Sequence, residues 1–181
     1  MSRSPAPGGT GQSGARATVR ALQGALAAEN SAVYGYGVAG AHLSGARRAA
    51  AVRDWVGHEN ARDTLTAMLT ARGSQPQPAA AAYALPFPVR SAADAVRLAA
   101  VLEDRVTGVY LGLVALGEPA LRAFGAAAVR SAALRAAAWR GSTLAFPGLE
   151  VPARRPPRTA AHTSQPATSG TGASPAPSRS G

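Results

Sequence analysis

Apolar residues recur at intervals of three and four along four stretches of the chain, the spacing of an α-helix that buries one face. The stretches cover about residues 18–43, 46–72, 91–117 and 119–140. Ala, the best helix former, fills most of the remaining positions. Ser44-Gly45 separates the first two stretches, and Gly73 and Gly141 follow the second and the fourth, as expected of helix ends. The pattern therefore predicts an all-α protein.

The links between these helices differ in length, and the difference predicts the topology. Two of them are short turns, which make the helices on either side antiparallel neighbours. The link over residues 73–90 is far longer than a bundle turn requires. Two antiparallel helical hairpins joined by one long crossover loop form the topology of ferritin-like bundles. We therefore predict a ferritin-like four-helix bundle.

Both ends of the chain differ in composition from the helical region. Residues 1–16 and 151–181 are rich in Gly, Pro and Ser, which predicts two disordered tails around a bundle over residues 17–150. The first residues contain no apolar run of the kind found in signal peptides, and the uncharged stretches are too short or too polar to span a membrane. We therefore expect a cytoplasmic protein that does not bind membranes.

Two glutamates lie on otherwise apolar helix faces. In the first helix Glu29 is the single charged residue between Ala21 and Ala46, and it lies on the apolar stripe near mid-helix. In the third helix Glu103 occupies the equivalent central place. A tyrosine follows each glutamate by seven residues, two turns further along the same face. The pattern predicts that both carboxylates are buried, together with Tyr36 and Tyr110.

The other two helices offer partners for these carboxylates. The apolar stripe of the second helix passes through His58 and Arg62, and a stripe of the fourth contains Ser131 and Arg135, with Arg130 as a competing choice. Because all these positions lie near the helix midpoints, antiparallel stacking would place them in one layer. A buried charge requires a partner of opposite sign. The predicted buried polar cluster consists of Glu29, Tyr36, His58, Arg62, Glu103, Tyr110 and Arg135.

A metal centre is the alternative interpretation of the same residues. Di-iron bundles take a Glu from each of two helices and a Glu-x-x-His from each of the other two. Glu29 and Glu103 supply the first pair, but the acid before His58 is Asp54, four residues ahead, and the fourth helix contains neither acid nor histidine. The sequence therefore favours a metal-free protein without a cofactor, in a structural or interaction role rather than as an enzyme. The alternative is an iron- or manganese-binding oxidoreductase that uses Glu29, His58 and Glu103.

Composition narrows the set of partners. The chain of 181 residues has no cysteine, which excludes disulfides and thiolate metal sites. All nineteen basic residues are arginine, a bias typical of GC-rich actinobacterial genomes, and the net charge of +10 is spread along the chain. Such a charge attracts phosphate without specificity, and no nucleic-acid-binding motif accompanies it. We expect a protein partner or a homodimer rather than specific nucleic-acid binding.

Five segments also carry a resemblance to a known family. They are ALQGALAAENSAVYGYG at 21–37, the segment from His58 to Asp63, AYALPFPV at 82–89, LED at 102–104 and FPGL at 146–149. Over about residues 18–150 the chain resembles the actinobacterial ferritin-like family catalogued as domain of unknown function 4439. The resemblance implies a ferritin-like fold and no established activity.

Overall fold

The chain folds into four α-helices. The computed structural model describes residues 9–116, 118–145 and 147–149. The helices are α1 (Gly9–Ala41), α2 (Gly45–Thr70), α3 (Ala92–Val114) and α4 (Pro119–Arg140). Across those described residues no strand is present. The predicted all-α four-helix bundle is therefore confirmed.

The bounds of α1 and α3 differ from the prediction. Helix α1 begins at Gly9, nine residues before the predicted start, so residues 9–16 are helical rather than disordered. Once a helix is nucleated, each further residue adds a hydrogen bond at little cost, and residues 9–16 contain no Pro to stop it. Helix α3 ends at Val114, and Gly117 lies outside the described residues, as do residues 1–8 and the predicted tail at 151–181.

Local signals fix the other helix ends where they were predicted. Ser91 caps α3: its hydroxyl oxygen accepts a hydrogen bond from the Asp94 backbone N–H at 3.1 Å and donates to the Asp94 carboxylate at 2.8 Å. Pro119 occupies the first turn of α4. Gly141 ends α4 in the left-handed conformation, with φ of 78°, which glycine adopts without a steric penalty.

The long crossover between α2 and α3 lies against the bundle. At its start, the Gln23 side chain donates to the Gln75 carbonyl and accepts from the Gln77 backbone N–H. Further along, alternate side chains turn inward, so that Leu85 and Phe87 are half-buried on the core. The crossover therefore follows the bundle from one end toward the other.

The apolar interior divides into two clusters at opposite ends of the bundle. One contains Leu22, Leu26, Leu65, Leu69, Val106, Tyr110, Leu113 and Leu121, and the other contains Tyr36, Leu43, Ala51, Leu98, Leu102 and Trp139. Along α2, α3 and α4, His58, Glu103 and Arg135 fall between the residues of the two clusters. On α1, Glu29 lies between Leu26 of the first cluster and Tyr36 of the second. Within the described residues, none of the four helices is long and apolar enough to cross a membrane.

Candidate functional site

His58 stands at the centre of a polar layer between the two apolar clusters. Its Nδ1 lies 2.6 Å from Oε2 of Glu29, and its Nε2 lies 3.1 Å from Oε1 of Glu103. These three side chains are 1%, 2% and 0% exposed, respectively. An ionised carboxylate can only accept hydrogen bonds, so both ring nitrogens of His58 donate when both glutamates are ionised. In that state an imidazolium on α2 bridges helices α1 and α3.

Two tyrosines complete the layer in a reciprocal arrangement. The Tyr110 hydroxyl of α3 donates to Oε1 of Glu29 on α1 at 2.7 Å, and the Tyr36 hydroxyl of α1 donates to Oε1 of Glu103 on α3 at 2.7 Å. Each tyrosine follows the glutamate of its own helix by seven residues and bonds the glutamate of the other. This exchange is geometrically consistent only if α1 and α3 run antiparallel, so the repeated Glu–Tyr spacing serves an inter-helix contact.

Arg135 of α4 supplies the second positive charge of the layer. Its Nε donates to Oε1 of Glu103 at 2.7 Å, so this one oxygen interacts with Tyr36, His58 and Arg135. The other oxygen, Oε2, is buried and has no hydrogen-bond partner among the described residues. Two cations, imidazolium and guanidinium, thus face two carboxylates, and these four groups balance in charge.

Asp54 and Trp139 belong to the edge of the same layer, and sequence reasoning missed both roles. The Trp139 indole N–H donates to Oδ2 of Asp54 at 2.8 Å, and the Tyr36 hydroxyl lies 3.5 Å from the same oxygen. The available signal was the spacing Asp54–His58, one helical turn on α2, which places both side chains on one face. Trp139 lies one turn beyond Arg135 on α4.

Arg62 was predicted in the cluster, and the structure places it outside. Its guanidinium lies 2.9 Å from Asp63 and 3.6 Å from Glu59, both on its own helix, and its side chain is 32% exposed. Arg62 does follow His58 by one turn, but its long side chain extends to solvent, where a charge is better solvated. Arg130, the competing choice on α4, is exposed, so Arg135 is the arginine that reaches the layer.

The hydrogen bonds of the layer determine its protonation states. Burial alone would lower the pKa of His58, but the hydrogen bonds and charges of Glu103 and Glu29 outweigh it and raise this pKa to about 9. Burial would raise the pKa of Glu103, and the bonds from His58 and Arg135 instead hold it below its usual value. The pKa of Arg135 is raised because Glu103 outweighs the effect of burial. His58 and Arg135 are therefore cations and Glu103 an anion at neutral pH.

Three neighbouring groups, Tyr36, Tyr110 and Asp54, lose their protons less readily than the same side chains do in water. Burial raises the pKa of the Tyr36 hydroxyl, and the adjacent Glu103 carboxylate raises it further. Burial and the carboxylate of Glu29 do the same for the Tyr110 pKa. The pKa of Asp54 is also raised, chiefly by burial, although its bond from Trp139 opposes the shift. Both tyrosines thus remain hydrogen-bond donors across the physiological range.

A cavity of about 220 Å³ leads to this layer between α2 and α4. Exposed Ser131 borders it, and Glu29, His58, Tyr110 and Arg135 line it farther in. Ser131, which the sequence placed on the same stripe as Arg135, therefore lies beside the cavity and not in the hydrogen-bonded cluster. Within the described part of the chain, no group of three or more His, Asp or Glu side chains is arranged to hold a metal ion.

Comparisons with known proteins agree with this architecture. A solved structure of a conserved hypothetical protein of Mycobacterium tuberculosis, rv2844, is similar to this chain with a TM-score of 0.68 and 34% sequence identity. The similarity covers 70% of this chain and 96% of the other. No curated protein matches. The sequence model of a family described as a domain of unknown function, DUF4439, matches residues 21–151, which include the whole polar layer. The chain therefore belongs to the DUF4439 family.

Proposed function

We propose that this protein is a metal-free ferritin-like bundle with a structural or interaction role, whose core is held together by ion pairs. One observation carries the proposal: His58 uses both ring nitrogens to bridge Glu29 and Glu103. A metal ion bound by this histidine would have to displace one of these two bonds. The positions that cations would occupy between the carboxylates are taken by side chains of the chain itself.

The ferritin-like assignment is supported by the order and direction of the helices. One short link joins α1 to α2, another joins α3 to α4, and the long crossover joins the two pairs. The two glutamates of α1 and α3 lie at equivalent depths, as in carboxylate-bridged bundles. The arginine-only composition and the similarity to a mycobacterial protein support an actinobacterial origin. The cytoplasmic location expected from the sequence stays a prediction.

The electrostatics of the layer oppose a di-iron centre. Such a pair requires several anionic ligands to offset its positive charge. Here Arg135 on α4 stands within hydrogen-bond distance of Glu103 and would repel a cation bound at that carboxylate. Guanidinium cannot give up its proton at any ordinary pH, so this repulsion cannot be relieved.

The alternative, a metal-binding oxidoreductase, is favoured by one observation. Oε2 of Glu103 is buried without a partner among the described residues, and a cavity reaches His58 and Glu29. An unsatisfied buried carboxylate oxygen costs about 1–3 kcal/mol, which a bound cation would recover. In that case His58, Glu29 and Glu103 would be the ligands.

Metal analysis of protein purified aerobically without chelators separates the two functions. We expect substoichiometric iron and manganese, and a melting temperature that Fe(II) and Mn(II) leave unchanged, because a ligand that binds only the native state would raise it. Glu103→Gln, which keeps the shape of the side chain and removes its charge, is the matched variant. Stoichiometric metal in the wild-type protein that is lost in Glu103→Gln would establish the oxidoreductase alternative instead.

A further inference from the structure

The cavity of about 220 Å³ between α2 and α4 joins the protein surface to buried polar side chains. We call it the α2–α4 cavity. Small residues of both helices line its outer part, namely Gly57, Ala61, Ala127, Ala128 and Ser131. Glu29, His58 and Tyr110 line its inner part, and each is at most 2% exposed. A single water requires roughly 10–15 Å³, so the cavity has room for a larger molecule.

Arg135 lines the same cavity and carries hydrogen-bond donors that the polar layer does not use. A guanidinium has five N–H groups, and here the Nε–H donates to Glu103. Among the described residues, no acceptor bonds the N–H groups of the two terminal nitrogens. The side chain is 26% exposed, so bulk water reaches it only in part. A carboxylate suits these donors best, because it can accept two parallel hydrogen bonds from one guanidinium.

Glu29 has the opposite property, because it retains the capacity to accept hydrogen bonds in the cavity. Its Oε1 accepts one hydrogen bond from Tyr110, and its Oε2 accepts one from His58. An ionised carboxylate has about four acceptor positions, so about two stay open. The Tyr110 hydroxyl and both ring nitrogens of His58 already donate within the layer. A donor brought in by a ligand would therefore bond Glu29, and an ammonium group is the strongest such donor.

The charge balance of the layer determines which kind of ligand fits. The two glutamates offset the imidazolium and the guanidinium, so a simple anion or cation would add an uncompensated charge beside buried groups. A molecule with a carboxylate at one end and an ammonium at the other adds no net charge. Its two ends match Arg135 and Glu29. Val106 and the half-buried Phe124 supply an apolar wall for the carbon atoms between these ends.

We propose that the α2–α4 cavity binds a small zwitterionic amino acid. The ligand carboxylate bonds the guanidinium of Arg135, and the ligand ammonium bonds the carboxylate of Glu29. Ser131 is exposed at the mouth, where its hydroxyl can donate to or accept from the ligand. Both hydrogen bonds of His58 stay in place, so the ligand requires no rearrangement of the layer. The proposal goes beyond the structural role proposed above, because it gives the interior a ligand.

Titration of the full chain with three probes, followed by NMR of the backbone amides, tests the ligand class. The probes are glycine, acetate and methylammonium at equal ionic strength, and each of the last two carries one of the two charged ends of glycine. Glycine should shift the amide signals of Gly57 and Ser131, which line the cavity, and not that of Gly112, an exposed glycine of α3 outside it. Acetate and methylammonium should bind at least about tenfold more weakly, because each makes only one of the two charged contacts. Equal affinity for glycine and for either single ion would overturn the proposal.

A pair of variants then locates the site without altering the ion pairs. Gly57→Leu fills part of the cavity, and a Cβ atom at Gly57 meets nothing within 4 Å, so the variant should fold. Gly112→Leu is the control, because Gly112 is also a helical glycine with open space around it and does not line the cavity. Circular dichroism checks that both variants are helical. Gly57→Leu should lose glycine binding, and Gly112→Leu should retain it.

Two further results would overturn the proposal. One is the absence of any glycine-induced shift at Gly57 and Ser131 in the wild-type protein, and the other is glycine binding that Gly57→Leu leaves unchanged. Metal content, measured on the same preparation, tests the metal-free function separately. Failure of amino-acid binding is therefore distinguishable from failure of the function proposed above.

Discussion

Arg135 is the residue on which the charge balance of the interior depends most. Glu103 is fully buried, and Arg135 stands 2.7 Å from it on α4. Removing one partner of a buried ion pair leaves an uncompensated charge and typically costs about 3–5 kcal/mol. Arg135→Ala should therefore lower the free energy of unfolding by roughly that amount, as measured by urea denaturation. Its control is Arg130→Ala on the same helix, which is exposed and should change stability by less than about 0.5 kcal/mol. Equal losses in the two variants would contradict the assignment.

The two tyrosines of the layer differ in how many hydrogen bonds remain on the glutamate oxygen when the tyrosine hydroxyl is removed. Tyr110→Phe removes the one hydrogen bond that Oε1 of Glu29 accepts from the described residues, whereas Tyr36→Phe leaves Oε1 of Glu103 bonded to His58 and Arg135. An unsatisfied buried acceptor costs about 1–3 kcal/mol, and an ordinary hydrogen bond contributes about 0.5–1.5 kcal/mol. We expect the larger loss of unfolding free energy for Tyr110→Phe. The reverse order would show that the tyrosines do not satisfy the carboxylates as described.

Single residues of the layer could be predicted from the sequence to different degrees. Glu29 and Glu103 were identifiable because each is a charge on an apolar helix face. Arg62 was placed wrongly because helical spacing gives the direction of a Cβ atom, whereas a long arginine side chain can still turn to solvent. Trp139 could not be placed, because in a helix rich in alanine the buried face is not marked by contrast with polar residues.

At the scale of helices, the two N-caps permit a direct comparison. The Ser91 hydroxyl accepts a hydrogen bond from the Asp94 backbone N–H at the start of α3, whereas Ser44 at the start of α2 makes no side-chain cap bond. Losing a capping hydroxyl costs about 0.5–2 kcal/mol. Ser91→Ala should therefore lower the melting temperature more than Ser44→Ala does, as recorded by circular dichroism. Equal shifts would show that the Ser91–Asp94 contact does not stabilise α3.

Helix ends were predictable where a residue type enforces them. Pro119, Gly141 and the Ser91–Asp94 pair act through the local backbone, and the ends they predict are observed. The start of α1 was not predictable in this way. Glycine and serine in residues 9–16 suggested disorder, but a helix already stabilised by packing from Thr18 onward extends through them. The outcome there depends on tertiary contacts rather than on composition.

At the scale of the whole molecule, the polar layer makes stability depend on pH. His58 has a pKa of about 9 in the folded protein, raised from 6.5. The contribution of protonated His58 to the free energy of unfolding is therefore fully present below about pH 6.5 and is lost as the pH rises through about 9. The total loss is roughly 3 kcal/mol. On the acid side, the lowered pKa of Glu103 gives a contribution that is present above about 4.5 and is lost as the pH falls through the folded-state value.

Urea denaturation at a series of pH values from 6 to 10 measures the loss of unfolding free energy on the alkaline side. The wild-type protein should lose stability over this range, and His58→Gln should lose much less, because glutamine does not titrate. A wild-type profile that is flat from pH 6 to 10 would show that the imidazolium does not stabilise the fold.

The central claim is that His58 is a cation that joins two buried carboxylates at neutral pH. Nitrogen NMR of the ¹⁵N-labelled protein tests this most directly, because the shifts of the two ring nitrogens report whether each carries a proton. The chain has three histidines, and His58→Gln identifies the signals of this one. The account predicts that both nitrogens of His58 are protonated at pH 7 and that the ring titrates at about pH 9. A neutral His58 at pH 7, with one nitrogen unprotonated and available to a metal, would contradict it.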